Sequence, residues 1–361
     1  MPEQQPLVLI TGGGTGGHVF PGLAAAAELV ACGARVHWLG TRSGMEARLV
    51  PAAGIALDFL DTSGVRGKRR SEQLLLPLRL LRAVVQALRL LWRLRPSCVL
   101  GTGGFVAGPG GLAAWLLRVP IVVHEQNAIA GTTNRLLARL ARRILLGLPG
   151  PFAGNPRAQV VGNPVRAAIA GLPAPEQRLA SRQGALRLLV VGGSQGARVL
   201  NETLPAALAL IDAAQRPEVW HQCGAQELPA CAERYREAGV EARTSAFIDD
   251  MANAYAWADL VVCRAGALTI SELAAAGLAA LLVPLPTAID DHQSANARWL
   301  VAAGAAVAVA QRDFTPVWLA AELQRLGSAR AELFAMALRS RSLARPDAAV
   351  RVATACLEIA R

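Results

Sequence analysis

The stretch LVLITGGGTGGHVFPGLAAA, from Leu7 to Ala26, decides how the N-terminal half of this chain folds. It opens with a short apolar run, passes through a loop crowded with glycines, and ends in an alanine-rich segment suited to a helix. Gly33 stops that helix, and the strand-like ARVHWLGT follows. Strand, glycine loop, helix and strand in this order predict a βαβ unit of a parallel sheet.

The same order of segments returns in the C-terminal half, where Leu186–Ile211 reads LRLLVVGGSQGARVLNETLPAALALI and the strand-like EVWHQCG follows. A chain of 361 residues exceeds one ordinary core. We therefore predict an α/β fold of two Rossmann-like, doubly wound domains. We place their boundary in VVGNPVR, which gives an N-terminal domain of residues 1–162 and a C-terminal domain of 163–340. A last helix within about 341–361 has no strand after it.

Composition favours a cytoplasmic enzyme. Apolar residues make up 53% of the chain and charged residues 17%, a balance that lets both domains bury substantial cores. The sequence contains no run of about 20 uninterrupted apolar residues, so no membrane span is predicted. The N-terminal sequence lacks the basic segment of a signal peptide. The six cysteines are scattered without a CxxC pair, and we expect buried free thiols in a reducing compartment.

The net charge of +11 calls for an anionic partner. Nucleic acid, anionic lipid headgroups and a phosphorylated substrate are the candidates. Aromatic residues are only 4% of the chain, and no nucleic-acid-binding motif is present. We therefore expect no nucleic acid among the partners.

Glycine-rich turns follow three of the predicted strands, at Gly12–Gly17, Gly101–Gly111 and Gly192–Gly196. Glycines let backbone N–H groups approach a phosphate or a sugar, and the helix behind each turn presents its positive end. No Walker loop is present, and HWLGTRSG stands where a dinucleotide site would place its acidic ribose partner. Tight packing of a strand on a helix would explain one such turn, but it explains three poorly.

The stretch CRAGALTISELAAAG, from Cys263 to Gly277, also joins a strand to a helix. We predict that the helix starts near Leu268, with Thr269, Ser271 and Glu272 in its first turn. Two interpretations of Glu272 remain open. It caps the helix, or it accepts hydrogen bonds from ligand hydroxyls while the helix end faces a phosphate.

Taken together, the segments resemble the MurG-type N-acetylglucosaminyltransferase family, which makes lipid II. The matching stretches follow the family's order over nearly the whole chain. They are GGGTGGHVFPGLA, GTGGFVAGPGGLAAW, HEQNAIAGTTNRLLA, VVGNPVR, VVGGSQGARVLNET, FIDDMANAYAWADLVVCRAGALTISELAAAG and DDHQSANA. The resemblance implies the GT-B fold, in which two Rossmann-like domains face a nucleotide-sugar cleft and the last helix returns to the N-terminal domain.

The resemblance also implies a reaction. N-acetylglucosamine passes from UDP-N-acetylglucosamine to the C4 hydroxyl of the N-acetylmuramoyl unit of lipid I, with inversion, and gives lipid II. The alternative is another UDP-sugar enzyme on the same scaffold, either a glycolipid glycosyltransferase or a UDP-N-acetylglucosamine 2-epimerase. A nicotinamide-dependent dehydrogenase and an RNA-binding module are more distant alternatives.

The donor-site residues implied by the resemblance come from both domains. The N-terminal domain supplies Thr15, Gly16, Gly17 and Asn127, and the C-terminal domain supplies Arg166, Ser194, Gln293, Ile248 (through its backbone, to uracil), Ala267, Leu268, Thr269, Ile270, Ser271 and Glu272. Two positions depart from the family. Thr287 stands where histidine is frequent and Ala107 where serine is usual, so a side-chain role is not expected at either.

An inverting transfer needs a base for the incoming hydroxyl and positive charge for the departing UDP. His18 alone among the five histidines follows a glycine loop at the end of a strand, where open α/β sheets bind ligands. We predict His18 as the catalytic base, with Glu125 in reserve. The acidic pairs Asp58 and Asp61, and Asp249 and Asp250, form no DxD motif. We therefore expect no metal and no cofactor, with helix N-termini and Arg166 facing the diphosphate.

Basic residues far outnumber acidic ones between Gly64 and Arg95, where a long helix is predicted from Glu72 onwards. For its middle we expect a buried helix with a solvated arginine stripe. Its start predicts contact with anionic phospholipid, through Lys68, Arg69, Arg70, Leu74, Leu75 and Leu76. The resemblance implies a peripheral enzyme on the cytoplasmic face of the inner membrane, where lipid I resides, and leaves other cell-wall proteins open as partners.

Overall fold

A computed structural model of the chain forms two compact units, Met1–Arg166 with Arg345–Arg361, and Ala167–Ala344. The residues that it describes are 5–61, 76–180, 182–193 and 196–360.

The first unit is built on a seven-stranded sheet in the order β3-β2-β1-β4-β5-β6-β7. Each pairing is parallel. The strands are β1 (Leu7–Gly12), β2 (Arg35–Gly40), β3 (Ala56–Phe59), β4 (Cys98–Gly103), β5 (Ile121–Glu125), β6 (Arg143–Leu146) and β7 (Ala158–Val160). The order reverses between β1 and β4, which makes their carboxyl ends the switch point where doubly wound sheets bind ligands.

Helices cover both faces of this sheet because its strands alternate their side chains between two apolar clusters. Leu9 of β1 contributes to one cluster, and Val8 and Ile10 contribute to the other. The described helices are α1 (Gly16–Ala31), α2 (Glu46–Ala52), α3 (Leu76–Leu94), α4 (Ala107–Leu116), α5 (Thr132–Leu140) and, at the end of the chain, α15 (Ala348–Ile359). Val352 and Cys356 of α15 pack in the cluster of Val8 and Ile10, so the last helix completes the core of the first unit.

The second unit repeats the design with a six-stranded sheet in the order β10-β9-β8-β11-β12-β13, again parallel throughout. Its strands are β8 (Arg187–Val191), β9 (Glu218–Gln222), β10 (Arg243–Ser245), β11 (Leu260–Cys263), β12 (Ala279–Leu282) and β13 (Ala306–Ala308). Its helices in the described part are α6 (Ala167–Ala170), α7 (Pro175–Arg178), α8 (Arg198–Ala209), α9 (Leu228–Glu237), α10 (Met251–Trp257), α11 (Ala267–Ala276), α12 (His292–Ala302), α13 (Pro316–Ser328) and α14 (Arg330–Ser342). The predicted pair of Rossmann-like sheets is confirmed.

Several local expectations can be compared with the structure. The six cysteines are free thiols as expected, but Cys32 is exposed because it lies at the end of α1.

Most of the predicted membrane-contact residues lie outside the described residues, namely Lys68, Arg69, Arg70, Leu74 and Leu75. Leu76 is the first residue of α3. Within the described ranges, every helix is too short or too polar to cross a membrane.

Candidate active site

Two glycine loops interlock at the switch point of the first unit. The loop after β1 and the loop after β4 approach so closely that a Cβ atom on Gly104 would overlap the carbonyl oxygen of Gly13. Gly104 also has a φ of 80°, a left-handed conformation that favours glycine. The glycines therefore bring two backbones into contact and leave the start of α1 at the carboxyl edge of the sheet.

Helix α1 begins inside the glycine loop. Thr15 is its N-cap residue, with an extended φ of −119°, and no acidic residue follows in the first turn. The first N–H groups of a helix have no intrahelical partner. Gly16 and Gly17 have no side chains that could cover their N–H groups. This turn therefore offers backbone donors and a positive helix end to an oxygen-rich ligand.

His18 is the third residue of α1, and its ring is oriented through Nδ1. This atom lies 3.0 Å from the carbonyl oxygen of Thr102 and 3.2 Å from Oε1 of Gln126. Because both neighbours are oxygens that accept hydrogen bonds, Nδ1 carries the proton in the neutral ring. The lone pair then resides on Nε2, the nitrogen that can take a proton from a hydroxyl.

Gln126 connects His18 to a second histidine. Its Nε2 donates to the Thr102 carbonyl at 2.8 Å and lies 3.1 Å from Nδ1 of His124. Nε2 of His124 in turn donates to the Gly162 carbonyl at 3.1 Å. Burial lowers the pKa of His124, against the weaker opposing effect of its hydrogen bond to Gly162. A neutral His124 therefore holds the amide of Gln126 in the orientation that keeps its oxygen toward His18.

Glu125 is buried, and both of its carboxylate oxygens are occupied. Oε1 accepts from the backbone N–H and the side-chain amide of Asn127, at 2.9 and 3.1 Å. Oε2 accepts from the N–H of Gly131 at 3.0 Å and from Nδ2 of Asn134 at 2.9 Å. Four donors satisfy the carboxylate oxygens and tie the loop after β5 into one conformation. The same contacts fix the side chain of Asn127.

In the second unit, α11 starts directly after β11. Gly266 is the N-cap residue and Ala267 the first helical residue, so the expected start near Leu268 is confirmed to within one residue. Thr269 lies in the first turn, but the expectation that Ser271 and Glu272 do so is wrong. Ser271 instead donates from Oγ to the Ala267 carbonyl at 2.8 Å, one turn below it.

Glu272 is the sixth residue of α11 and is only 7% exposed. The interpretation that it caps the helix is wrong, because the N–H groups at that depth have intrahelical partners. The hydroxyl of Tyr255 donates to its Oε2 at 3.0 Å. Helix α11 thus combines a start free of acidic residues with a buried, oriented carboxylate one turn further along.

Two further predicted donor-site residues of the second unit, Ile248 and Gln293, lie near the starts of helices. Ile248 is buried just before Asp250, and Asp250 caps α10 through the N–H of Asn253 at 3.0 Å. Gln293 lies in the first turn of α12 and accepts from the N–H of Leu285 at 2.9 Å. Ser194 lies outside the described residues.

Arg166, which we had expected in the C-terminal domain, is grouped with the first unit. Its guanidinium stacks over the ring of Phe20, 5.5 Å from the centroid. Phe20 is in α1, two residues after His18. The positive charge of Arg166 therefore lies beside α1, the helix that carries His18.

The acidic residues Asp58 and Asp61 make contacts with helix α3. Asp58 accepts from Arg93 at 2.9 Å and contacts Nε2 of His37 at the same distance. Asp61 accepts from Arg82 at 3.2 Å. In the part of the chain that the structure describes, no three His, Cys, Asp or Glu side chains are grouped to hold a metal ion.

Sequence reasoning missed two residues, one that contacts His18 and one that contacts the glycine loop before it. Gln126 stands in the quoted HEQN, but only the folded strands show that it reaches His18. Glu46 was not singled out, although the structure buries it completely beside the first glycine loop. The glycines around it, Gly13, Gly40 and Gly44, are the signal that could have pointed to it.

Two Rossmann-like units with glycine loops and helix starts at the carboxyl ends of their strands define a nucleotide-sugar-dependent enzyme. Family models agree with this class. The model of the glycosyltransferase family 28 N-terminal domain matches residues 8–146, and that of the C-terminal domain matches 187–352. The chain belongs to glycosyltransferase family 28, within its MurG-type branch.

Named relatives cover the same length. The chain is 57% identical over 353 residues to a protein of Nitrosococcus oceani, covering 98% of each, and 55% identical over 352 residues to one of Marinobacter nauticus, covering 98% of this chain and 97% of the relative. Both are named UDP-N-acetylglucosamine–N-acetylmuramyl-(pentapeptide) pyrophosphoryl-undecaprenol N-acetylglucosamine transferase.

Solved structures agree. The crystal structure of Acinetobacter baumannii MurG matches with a TM-score of 0.85 and 40% identity, covering 98% of this chain and 99% of that one. A UDP-N-acetylglucosamine 2-epimerase matches with a TM-score of 0.64 at 14% identity, which shows a shared fold alone. The resemblance inferred from the sequence is confirmed.

Proposed function

We propose that this glycosyltransferase moves N-acetylglucosamine from UDP-N-acetylglucosamine to the C4 hydroxyl of the N-acetylmuramoyl unit of lipid I, and so forms lipid II. Relatives with 55–57% identity over nearly the whole chain carry this activity in their names, which supports the choice of both substrates. The geometric observation that carries the proposal is the orientation of His18, because its Nε2 is left as a proton acceptor at the glycine loop.

The reaction then follows from these groups. The C4 hydroxyl attacks the anomeric carbon opposite to UDP, and its proton passes to Nε2 of His18. The bond between the anomeric carbon and the phosphate oxygen breaks, and the electron pair leaves with UDP. The result is a β-1,4 bond with inversion at the anomeric carbon. Glu125 braces the loop after β5, because four hydrogen bonds already satisfy its carboxylate.

The donor site draws on the start of α11 and on Glu272. Positive charge from this helix start and from Arg166 stabilises the diphosphate, and Glu272 accepts hydrogen bonds from the ribose hydroxyls. The remaining donor contacts that we propose are Thr15, Gly16, Gly17, Asn127, Ser194, Ile248, Ala267, Leu268, Thr269, Ile270, Ser271 and Gln293. We infer that the transfer needs no metal, because the acidic pairs form no DxD motif and Asp58, Asp61 and Asp250 have structural partners.

We also propose that the enzyme attaches to the cytoplasmic face of the inner membrane. Leu78, Leu81 and Trp92 of α3 are 65%, 60% and 70% exposed, beside the arginines of the same helix. These exposed apolar residues lie toward the two ends of the helix. In its middle Ala83 and Ala87 are buried and Arg82 and Arg89 are exposed, which is the buried helix with a solvated arginine stripe that we expected there. Exposed apolar residues among arginines suit an anionic lipid surface.

A transfer assay tests the activity. The purified protein is incubated with UDP-N-acetylglucosamine and a water-soluble lipid I analogue, with and without excess EDTA. We expect a product that contains one added N-acetylglucosamine in β-1,4 linkage, formed at a similar rate in both samples. No product with the lipid I analogue, together with conversion of the donor to its 2-epimer, would instead support the epimerase alternative. Loss of turnover in EDTA, restored by magnesium, would contradict the metal-independent proposal.

A further inference from the structure

Glu46, in the first turn of α2, has no role assigned so far, although its side chain is completely buried. Its Oε1 accepts from the N–H and the hydroxyl of Thr41, at 2.8 and 2.7 Å. Its Oε2 accepts from the N–H of Gly14 at 2.9 Å. No lysine, arginine or histidine of the described ranges pairs with it. Burying a carboxylate in this way costs free energy unless hydrogen bonds replace the lost water, so these three donors are what keep it in place.

Three glycines form a socket around this carboxylate. A Cβ atom on Gly13 or Gly44 would overlap its oxygens, and one on Gly40 would lie 2.6 Å from its Cγ. None of these three glycines has a left-handed φ. They are therefore glycines because the Glu46 side chain occupies the space that any larger residue would need, and not because the backbone turns there.

Both the Glu46 carboxylate and the second glycine loop contact the first glycine loop. Gly14 has a φ of 91°, so the chain turns sharply where its N–H meets Glu46. Gly104 of the second loop packs against the Gly13 carbonyl. Thr15 and the first turn of α1 follow immediately, and His18 completes that turn.

We propose that Glu46 is a positioning residue for glycosyl transfer, which clamps the Gly13–Gly14 peptide and thereby sets the place of Thr15 to His18. This inference rests on the proposed function, because it matters only if that turn meets the substrates. Glu46 itself is buried beneath the loop and touches no substrate.

Glu46→Gln tests the clamp with little change in shape. An amide presents N–H groups on one side, so either Gly14 or Thr41 faces a donor instead of an acceptor. Hydrogen–deuterium exchange should become faster in the segment 12–18 and stay unchanged in 196–360. kcat/KM for the lipid I analogue should fall on the order of tenfold to a hundredfold, the range for misplaced reacting groups. The Kd for UDP should change by less than about twofold.

Gly44→Ala provides a second route to the same effect. Its methyl group would displace the Glu46 carboxylate from the socket, while the sequence of the first glycine loop and residue 46 itself stay unmutated. The matched control is Gly327→Ala in α13, where a Cβ atom has no neighbour within 4 Å. We expect Gly44→Ala to reproduce faster exchange and lower kcat/KM, and Gly327→Ala to match the parent in both.

The two readouts separate this inference from the proposed function. Unchanged exchange in segment 12–18 of folded Glu46→Gln and Gly44→Ala would overturn the clamp, whatever the activity of the parent enzyme. Faster exchange with unchanged kcat/KM would also overturn it, because the loop position would then not matter to transfer. A parent enzyme that transfers no sugar would overturn the proposed function alone.

Discussion

At the scale of single residues, the Nδ1 atom of His18 lies 3.0 Å from the Thr102 carbonyl and 3.2 Å from the Gln126 amide oxygen. Because neither oxygen can donate a hydrogen bond, Nδ1 carries the proton of the neutral ring and Nε2 is left to accept one. The same reasoning separates His18 from Glu125, whose two oxygens already accept four hydrogen bonds.

Replacing His18 by alanine should therefore affect chemistry and not donor binding. We expect kcat to fall by about 10²–10⁴-fold, as loss of a general base typically does, with the affinity for UDP unchanged. Steady-state kinetics and calorimetry measure the two quantities. His37→Gln is the control, since His37 is a histidine of the same unit engaged with Asp58. Near parental kcat in His18→Ala from about pH 6 to 9 would reduce His18 to a brace of the loop.

Glu272 allows a second test at this scale. If its carboxylate binds the ribose hydroxyls, Glu272→Gln should weaken UDP binding by about 1–3 kcal/mol, the range for a charged hydrogen bond. Tyr255→Phe removes only the hydroxyl that donates to Oε2, and it should weaken binding less. Unchanged calorimetric affinity in Glu272→Gln would mean that the carboxylate serves the fold alone.

At the scale of elements, α3 shows how one helix can serve two surfaces. Ala83, Ala87 and Leu91 face the core of the first unit, while Leu78 and Trp92 remain exposed. Asp58 and Asp61, which pair with Arg93 and Arg82 of this helix, lie in β3 and two residues after its end. The exposed apolar and basic residues are thus held on a rigid element.

Vesicle binding tests this surface. Changing Lys68, Arg69 and Arg70 to glutamine should weaken binding to anionic vesicles by around 1 kcal/mol per charge, with the loss reduced at high salt. Changing Leu78, Leu81 and Trp92 to serine should instead remove a component that salt does not affect. Turnover of the water-soluble acceptor should survive in both variants.

Val317→Ser is the control for the apolar change, because Val317 is 70% exposed on α13 in the second unit. If neither triple variant loses vesicle binding compared with this control, neither the segment 68–70 nor the exposed face of α3 is the attachment surface.

At the scale of the whole molecule, buried histidines make stability depend on pH. Burial lowers the pKa of His221, in the second unit, to about 3. The unfolded chain binds this proton near the ordinary pKa of about 6.5, so it holds more protons than the folded state at intermediate pH. The stability that neutral His221 contributes is therefore fully present above about pH 6.5, and it is lost progressively as the pH falls toward 3.

For His221 alone, the loss at pH 5 should be about 2 kcal/mol relative to pH 7.5. Urea unfolding followed in the second unit measures it. His221→Gln, which keeps a hydrogen-bonding group for the Tyr235 hydroxyl but does not titrate, should lose most of this difference. An equal pH dependence in parent and variant would show that other groups cause it.

The sequence already contained most of the fold. The order of strand, glycine loop and helix predicted both βαβ openings, and the apolar runs at Leu7 and Leu186 became the central strands β1 and β8. Local patterns suffice for this because a buried parallel strand needs a continuous apolar run and a loop without bulky side chains. The position of His18 at the carboxyl end of β1 was predictable for the same reason.

The tertiary structure decided the contacts between residues that are far apart in the chain. His18 meets Thr102 and Gln126 only because β1, β4 and β5 are neighbours in the sheet. Glu46 reaches Gly14 only after α2 has packed beneath the first glycine loop. A sequence specifies residue types and their local spacing, whereas the tautomer of a histidine or the clamp on a loop depends on which oxygen and nitrogen atoms the folded strands bring within about 3 Å.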